Sequence, residues 1–361
     1  MEQDREIMAH PSGADCLTRR VVLGGLAASA CLAGAPCAAA QTEGPGEALE
    51  TPIAITARAI AHFQPGQPDA KRFGDMEFRG GLALTSASEH FGGWSGLIME
   101  ADGRSLLSVS DAGSWLRASV DYAGNRPMTL ARARIGPLHA LRGRPLKDKR
   151  EQDAEAVTLV DGSLETGTLL IGFERVHRIG RFHIRGGQLQ PPSEYLRLPA
   201  EAARMPANQG IEALAVIQAG ALRGSVVAFA ERFTRGSGYH TGWIWVGGEP
   251  HRLQLRDIDG FNITDAAGLP DGGLLVLERY FRWTTGVRMR IRRLQPTEIR
   301  PGARLTGRIV IEADSGYEID NMEGIAVHRG AGGETIVSLI SDDNFNRLLQ
   351  RTVFLQFTLA G

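Results

Sequence analysis

The sequence predicts an all-β protein and, within that class, a β-propeller with five visible repeats. Three observations lead to this fold class. Helical periodicity is scarce after residue 40, short apolar runs bounded by Gly, Asp and Arg are frequent, and one residue pattern recurs along the chain. A recurring unit of strands without a helix suits a propeller blade, since blades packed around an axis bury both faces of each small sheet. A β-solenoid and a β-sandwich are the structural alternatives.

Each repeat opens with a polar, usually acidic, residue, followed by a small residue and an apolar strand. The five opening segments are 95–99, 155–159, 212–216, 265–269 and 323–327. A turn and a second apolar strand follow each of them, and that second strand ends in an acid. These closing acids are Asp111, Glu174, Glu231, Glu278 and Asp342. The repeats predict a propeller of five or six blades.

Ring closure is the least regular part of the pattern. After Glu323 only three strands fit, over 323–327, 335–341 and 352–359. The strand-like segment 53–63 is predicted to supply the fourth strand, which would close the ring with both chain ends in one blade. Residues 76–86 would then be an extra strand or the remnant of a sixth blade.

The N-terminal residues have the pattern of a cleavable export signal. Thr18-Arg19-Arg20 precedes a short apolar run, and Ala38-Ala39-Ala40 supplies a small-residue cleavage pattern. The paired arginines indicate the twin-arginine export machinery as a partner. A membrane anchor and a lipoprotein attached through Cys31 or Cys37 are the alternatives. We therefore predict a signal peptide at 1–40, a flexible segment at 41–52 and a propeller domain at 53–361, located in the periplasm or secreted.

Composition excludes several classes of protein. The three cysteines, Cys16, Cys31 and Cys37, all lie in the predicted signal, so the mature chain would have no disulfide, cysteine nucleophile or thiolate metal site. The whole chain has 40 basic and 41 acidic side chains, and this balance gives no electrostatic case for binding nucleic acid. We expect a monomer without a membrane span in its mature part. The chain has no G-x-S-x-G elbow, Walker loop, dinucleotide fingerprint, H-E-x-x-H pair or EF-hand loop.

The repeated acids predict a ring of carboxylates. If the first two strands of a repeat pair as an antiparallel hairpin, the opening acids Glu155, Glu212, Asp265 and Glu323 fall at the same end of the blade as the closing acids. Concentrated carboxylates need cations, and calcium, which takes six to eight oxygen ligands, is the expected cofactor. The predicted ligands are Asp111, Glu174, Glu231, Glu278, Asp342 and Asp343. Alternatively, the acids are structural and pair with arginines or cap turns.

Cationic and aromatic residues near the strand ends complete the set of candidates. Arg175, Arg232 and Arg279 directly follow closing acids and, with Asn344, are predicted to bind substrate, since arginine holds phosphate bidentately. Inter-blade salt bridges are the alternative for the arginines. His177 and His240 are candidate general acids or surface residues. Trp94 and Trp115 are predicted to pack between blades, and the basic run 142–150 to form an exposed loop.

Several segments resemble a family of secreted bacterial proteins described as phytase-like, with "esterase-like activity of phytase". They are Phe91-Gly92-Gly93-Trp94-Ser95-Gly96-Leu97, Asp153-Ala154-Glu155-Ala156, Asn208-Gln209-Gly210-Ile211-Glu212-Ala213, Gly268-Leu269-Pro270-Asp271-Gly272-Gly273, Asn321-Met322-Glu323-Gly324-Ile325-Ala326 and Ser341-Asp342-Asp343-Asn344-Phe345. The resemblance covers nearly all of the predicted mature chain. It implies a propeller-like fold and a hydrolase of phosphoesters or other esters.

The leading functional expectation is therefore metal-assisted hydrolysis of a small anionic phosphoester at one mouth of the channel. Glu155, Glu212, Asp265 and Glu323 would orient water or transfer protons there. A metal-dependent lactonase or carboxylic esterase is a second reading. A non-catalytic propeller that binds a ligand or an envelope partner is a third.

Overall fold

The structure is a computed structural model that describes residues 50–233 and 238–360. The predicted signal peptide, 1–40, and most of the predicted flexible segment, 41–52, lie outside the described residues. Thr51 and Pro52, at the end of that segment, form a short strand. No helix among the described residues is long and apolar enough to cross a bilayer.

The described chain folds into five sheets, which we number as blades one to five. Before blade one lie β1 (Thr51–Pro52), β2 (Thr56–Ile60), β3 (Arg72–Phe73) and β4 (Met76–Thr85). Blade one contains β5 (Trp94–Met99), β6 (Ser105–Ser110), β7 (Ser114–Ala123) and β8 (Arg126–Pro137). A 3-10 turn (Leu141–Gly143) and the one-turn helix α1 (Lys149–Gln152) follow. Blade two contains β9 (Ala154–Gly162), β10 (Thr166–Phe173), β11 (Arg178–Arg185), β12 (Gln188–Leu189) and β13 (Glu194–Tyr195).

The remaining three blades follow a second 3-10 segment, Ala200–Arg204. Blade three contains β14 (Ile211–Val216), β15 (Val226–Ala230), β16 (Tyr239–Val246) and β17 (Glu249–Arg256). Blade four contains β18 (Asn262–Gly268), β19 (Leu274–Arg282) and β20 (Gly286–Leu294); then β21 (Arg304–Leu305) pairs with β17, and β22 (Arg308–Ala313) with β20. Blade five contains β23 (Asn321–Arg329), β24 (Thr335–Asp342) and β25 (Thr352–Leu359).

The inner strands of the blades close a ring. β5, β9, β14, β18 and β23 each contact the inner strands of both neighbouring blades, and within each blade the second strand pairs antiparallel with the first. The fold is therefore a five-bladed β-propeller, as the repeats predict. Five apolar clusters fill the spaces between neighbouring blades. Trp94 and Trp115 are buried in two of these clusters, as predicted.

Blade five contains both ends of the described chain, but the order of its strands differs from the prediction. β4 pairs with β25 and is the fourth strand, whereas β2 pairs with the far side of β4. The prediction that segment 53–63 supplies the fourth strand, with 76–86 as an extra strand, was therefore wrong. The ten-residue β4 alone matches β25 in length, so it makes the longer ladder and closes the blade.

Candidate functional site

The strand pairing defines two rings of equivalent positions at one end of the channel, which we call the mouth. The inner strands begin at this end and the second strands finish there, because each pair is antiparallel. The first ring, near the start of the inner strands, contains Glu155, Glu212, Thr264 and Glu323, each of which is left out of its ladder. Its blade-one member is Ser95, which directly precedes the residue left out there, Gly96. The second ring, at the ends of the second strands, contains Asp111, Glu174, Glu231, Arg279 and Asp342.

A β-bulge occurs in every inner strand at the level of the first ring. In blades two, three and five the residue left out of the ladder is Glu155, Glu212 or Glu323 itself. Bulges redirect side chains and are frequent near functional sites. Each bulge thus removes a glutamate from the alternation of the strand, and three carboxylates meet at the mouth.

In blade four, the residues that occupy the two rings are each one position away from the predicted acids in the sequence. Thr264, rather than Asp265, occupies the place of the glutamates, and Arg279, rather than Glu278, occupies the place of the closing acids. The expectation that Asp265 and Glu278 extend the ring was therefore wrong. An acid lies beside each equivalent position in the sequence, so a comparison of acid spacing alone selects the wrong residue.

Asp265 lies deeper in the channel and is fully buried. Its carboxylate accepts hydrogen bonds from the backbone N–H groups of Ala266 at 2.7 Å and Ile325 at 2.8 Å. Backbone N–H groups of Leu97 and Leu214 also donate to it. Burial raises the pKa of Asp265 well above its ordinary value, and these four donors act in the opposite direction. Because the donors come from four blades, Asp265 fills the axis and ties the inner strands together.

Glu278 lies in the interior of blade four, away from the mouth. It pairs with Arg290 at 2.9 Å and with Arg292, and none of the three side chains is exposed to solvent. Arg292 also donates to the backbone oxygens of Arg256 and Thr306. Asp259 at 3.5 Å and Glu312 at 3.9 Å from Arg290 offset the second positive charge. We assign the group a structural role, because a buried carboxylate requires such partners.

Two groups of carboxylates at the mouth have ligand atoms close enough to share a cation. Oxygens of Asp153, Glu155 and Glu174 lie within 4.8 Å of one another, and so do oxygens of Glu174, Glu212 and Glu231. Glu174 belongs to both groups. Its carboxylate also accepts a hydrogen bond from Gly210 N at 2.9 Å, which fixes its orientation.

The two groups differ in how far protein cations already neutralise them. Asp153, which is 2% exposed, binds Lys149 Nζ at 2.7 Å and Arg175 Nε. Lys149 also binds Asp111. In the second group, Asn262 donates to Glu231 at 2.7 Å and the Arg279 guanidinium lies 3.8 Å from Glu231. The group of Glu174, Glu212 and Glu231 therefore has the larger uncompensated charge and fits a divalent cation better.

The close approach of buried carboxylates changes their pKa values. Burial, followed by the charges of neighbouring carboxylates, raises the pKa values of Glu155 and Glu212 well above their ordinary range. Burial also raises the pKa of Glu323 to about 7, although the Arg279 charge opposes the shift. These acids therefore bind protons more tightly than ordinary carboxyls do, and a cation would compete with those protons.

Arg279 is the cation of the second ring and joins three blades. Its guanidinium donates to Asn321 Oδ1, lies 3.5 Å from Glu323 Oε1 and lies 3.8 Å from Glu231 Oε1. The surrounding carboxylates raise its pKa although burial opposes them, so the group stays charged. The mouth therefore combines acids that can hold a cation with one arginine that can bind an anion.

Four other predicted site residues are Asp342, which belongs to the second ring, Asp343, Arg175 and Arg232. Asp342 and Asp343 are buried beside the mouth, and their carboxylates accept backbone N–H groups of Asn344 and Phe345. Arg175 is turned toward Asp153, whereas the side chain of Arg232 is exposed.

The two histidines lie outside the rings. His240 is buried, and its pKa is lowered to about 4 by burial. His177 lies 3.1 Å from the backbone oxygen of Pro206. His177 nevertheless lies beside Glu174, since a Cβ atom at Gly210 would be 2.7 Å from Glu174 Cγ and 2.8 Å from His177 Nδ1. The His240 ring hydrogen-bonds the backbone of Glu231.

Asp153 and Lys149 also lie at the mouth, but the sequence did not predict them as site residues. Asp153 directly precedes β9, and Lys149 belongs to α1, whose N-cap Asp148 accepts the backbone N–H groups of Arg150 and Glu151. Neither residue recurs in the other blades, so the repeat pattern contains no signal for them. The acidic motif Asp153-Ala154-Glu155 was the available clue.

The fold and the mouth together define a five-bladed propeller with an acidic channel end, and most of the sequence matches one protein family. Residues 89–345 match the family described as Phytase-like, "Esterase-like activity of phytase". The chain belongs to this family. No curated protein matches it.

Solved propellers are similar to the chain only at a distance. The Dos1 propeller has 8% identity and a TM-score of 0.35, covering 79% of this chain and 75% of that one. The β-propeller domain of Myceliophteria thermophila Cps50 (Swd1) has 11% identity and a TM-score of 0.38, covering 85% and 99%. Raptor of Chaetomium thermophilum has 12% identity and a TM-score of 0.36, covering 77% and 22%.

Proposed function

We propose that this chain is an exported hydrolase that cleaves phosphoesters at the propeller mouth with the help of a bound calcium ion. The observation that carries the proposal is Arg279, which stands in a ring whose four other members are acids. A cation held by the acids and the adjacent guanidinium would together bind the two sides of an anionic ester.

Glu174, Glu212 and Glu231 are the proposed calcium ligands. Carboxylate oxygens suit calcium, which accepts irregular sets of six to eight oxygens and completes them with water. The pKa of each of the three is raised, mainly by burial. A cation at this point would favour the charged forms of the three acids, because it would offset their mutual repulsion. Bound calcium would polarise the phosphoester and lower the pKa of a coordinated water.

The remaining roles follow from position and charge. Arg279 would hold phosphate oxygens, and Asn321, which accepts from its guanidinium, would fix its orientation. Glu323, adjacent to Arg279 and with a pKa of about 7, would donate a proton to the leaving alcohol, since a general acid works best with a pKa near the operating pH. Glu155, within hydrogen-bond reach of Ser95, would orient the attacking water.

The export part of the proposal rests on Arg19-Arg20 and Ala38-Ala39-Ala40, which suit the twin-arginine pathway and cleavage after Ala40. N-terminal sequencing of protein recovered from the producing cells tests it. A first residue other than Gln41 would contradict the predicted cleavage site.

The activity test measures hydrolysis of p-nitrophenyl phosphate, bis(p-nitrophenyl) phosphate and p-nitrophenyl acetate, each with calcium and with a chelator. We expect calcium-dependent cleavage of a phosphate substrate, lost in Glu212→Gln and kept in Asp69→Asn, a change at an exposed acid. Cleavage of the acetate alone would support the carboxylic esterase or lactonase. One observation favours an esterase or lactonase. The second ring has more carboxylates than arginines, and this negative charge would repel a doubly charged phosphate monoester. No cleavage despite calcium binding would support a binding protein.

A further inference from the structure

Most of the exposed large apolar side chains in the described part of the chain lie on the face around the mouth. The loops from second to third strands finish at this face, as does the loop from blade one to blade two, whose Lys149 reaches Asp111. The apolar side chains on these loops are Leu141, Val176, Phe281, Trp283, Phe345, Leu348 and Leu349. The others, Met128 and Ile309, lie near the opposite ends of β8 and β22.

Three of these side chains protrude fully into solvent. Trp283 is 94% exposed, Leu348 95% and Leu349 82%. The ring of Trp283 makes an edge contact with Phe281, with centroids 5.5 Å apart, so the two rings form one apolar knob on the β19–β20 hairpin. Single exposed apolar residues are ordinary, but a concentration on one face marks an interaction surface.

The same loops carry exposed cations. These are Arg142, Lys147 and Arg150 in the loop between blades one and two, Arg232 after β15 and Arg282 beside Trp283. Among the described acids of these loops, Asp148 is exposed and the others are buried or partly buried, although Glu89, Asp259 and Asp314 are exposed on other loops of this face. The rim is therefore basic and apolar, while the well that it surrounds is acidic.

We propose that this face docks on an anionic lipid bilayer. The apolar side chains protrude from separate loops around a circle and do not line one groove, so a fluid surface can accept all of them without matching pockets. Trp, Phe and Leu insert at the boundary of headgroups and acyl chains, and neighbouring cations gain from anionic headgroups. In this orientation the mouth opens toward the lipid headgroups.

The distribution of tryptophans provides a direct spectroscopic test. Trp94, Trp115, Trp243 and Trp245 are buried, and Trp283 is the exposed one. Protein recovered after expression of the full chain is mixed with vesicles of equimolar phosphatidylcholine and phosphatidylglycerol. We expect tryptophan emission to shift to shorter wavelength and iodide quenching to decrease. Vesicles of phosphatidylcholine alone should bind at least about tenfold more weakly, as should the mixed vesicles at high salt.

Cosedimentation of variants separates the rim from the rest of the surface. Trp283→Ala combined with Leu348→Ser and Leu349→Ser should weaken binding to the mixed vesicles by about a hundredfold, because inserted apolar area is lost. The matched control, Met128→Ser combined with Ile309→Ser, removes exposed apolar groups away from the rim and should bind as wild type. Equal binding by all three proteins, or no binding of wild type, would overturn the proposal. Concentration-dependent dimerisation without lipid, lost in the rim variant, would assign the face to a second copy instead.

Discussion

Blades three and four are neighbours with the same strand order, but they contribute opposite charges to the mouth. Blade three places Glu212 and Glu231 in the two rings, and blade four places Thr264 and Arg279 at the equivalent positions. Blade four retains its acids one residue away, with Asp265 on the axis and Glu278 inside the blade. The difference shows that a shift of one residue along a strand moves an acid from the mouth to a buried structural position.

The largest expected effect is on stability and concerns the buried ion pairs of blade four. Glu278→Ala leaves Arg290 and Arg292 buried without their carboxylate, and should lower the free energy of unfolding by about 3–5 kcal/mol. Urea denaturation measures it. Asp259→Ala removes an acid that is 72% exposed and lies 3.5 Å from the same Arg290, so it should cost less than about 1 kcal/mol. Similar losses in both variants would contradict the structural assignment of Glu278.

The first ring offers the next comparison, between a glutamate and the threonine in its place. Glu212→Gln should weaken calcium binding and lower kcat/KM for the phosphoester by about a hundredfold, because a charged ligand is lost. Isothermal titration and phosphate release measure these quantities. Thr264→Val, at the equivalent position of blade four, removes a hydrogen bond to Met322 O and should leave calcium affinity unchanged. Calcium binding that survives Glu212→Gln would exclude this group as the cation site.

Arg279 tests the second ring. Arg279→Gln should raise KM for a phosphoester by about tenfold, since a charged hydrogen bond to the substrate is worth about 1.5–3 kcal/mol. The matched control is Arg232→Gln, at the exposed arginine that follows Glu231, and its KM should stay within about twofold of wild type. Steady-state kinetics with saturating calcium measures both. An unchanged KM in Arg279→Gln would remove the proposed phosphate contact.

The smallest expected effect concerns pH, measured without calcium. The pKa of Glu323 is about 7 in the folded protein and ordinary, near 4.3, in the unfolded chain. The folded state therefore binds more protons between these values, and Glu323 destabilises the fold as pH rises through that window. Glu323→Gln should gain about 1 kcal/mol relative to wild type between pH 6 and pH 7, measured by urea denaturation in chelator. His240 and His328 have pKa values of about 4, so they make the folded state more stable as pH rises. Their contributions cancel here because wild type and Glu323→Gln both contain them. A difference that does not change with pH would contradict the shifted pKa.

The blades were predictable from sequence because each repeat carries the same apolar strands and turn. Glu155, Glu212 and Glu323 were predictable as a convergent set because their spacing to the closing acids is constant. The register of blade four was not, since Thr264 and Arg279 can be aligned only through the ladder and its bulge. Asp153 and Lys149 come together through α1, a single turn that no repeat duplicates. Strand order in blade five depended on ladder length, which apolar periodicity does not encode.

The position of Asp265 determines whether a ligand can pass through the channel. Because its carboxylate is bonded to strands of four blades, the channel is a blind well and not a tunnel. Whatever enters at the mouth must turn back and leave by the same opening. Such a well accommodates the end of a molecule and cannot thread a chain, so the proposed hydrolysis would take place at a terminal group. Under the same proposal, the released product would leave by the path that the next substrate needs.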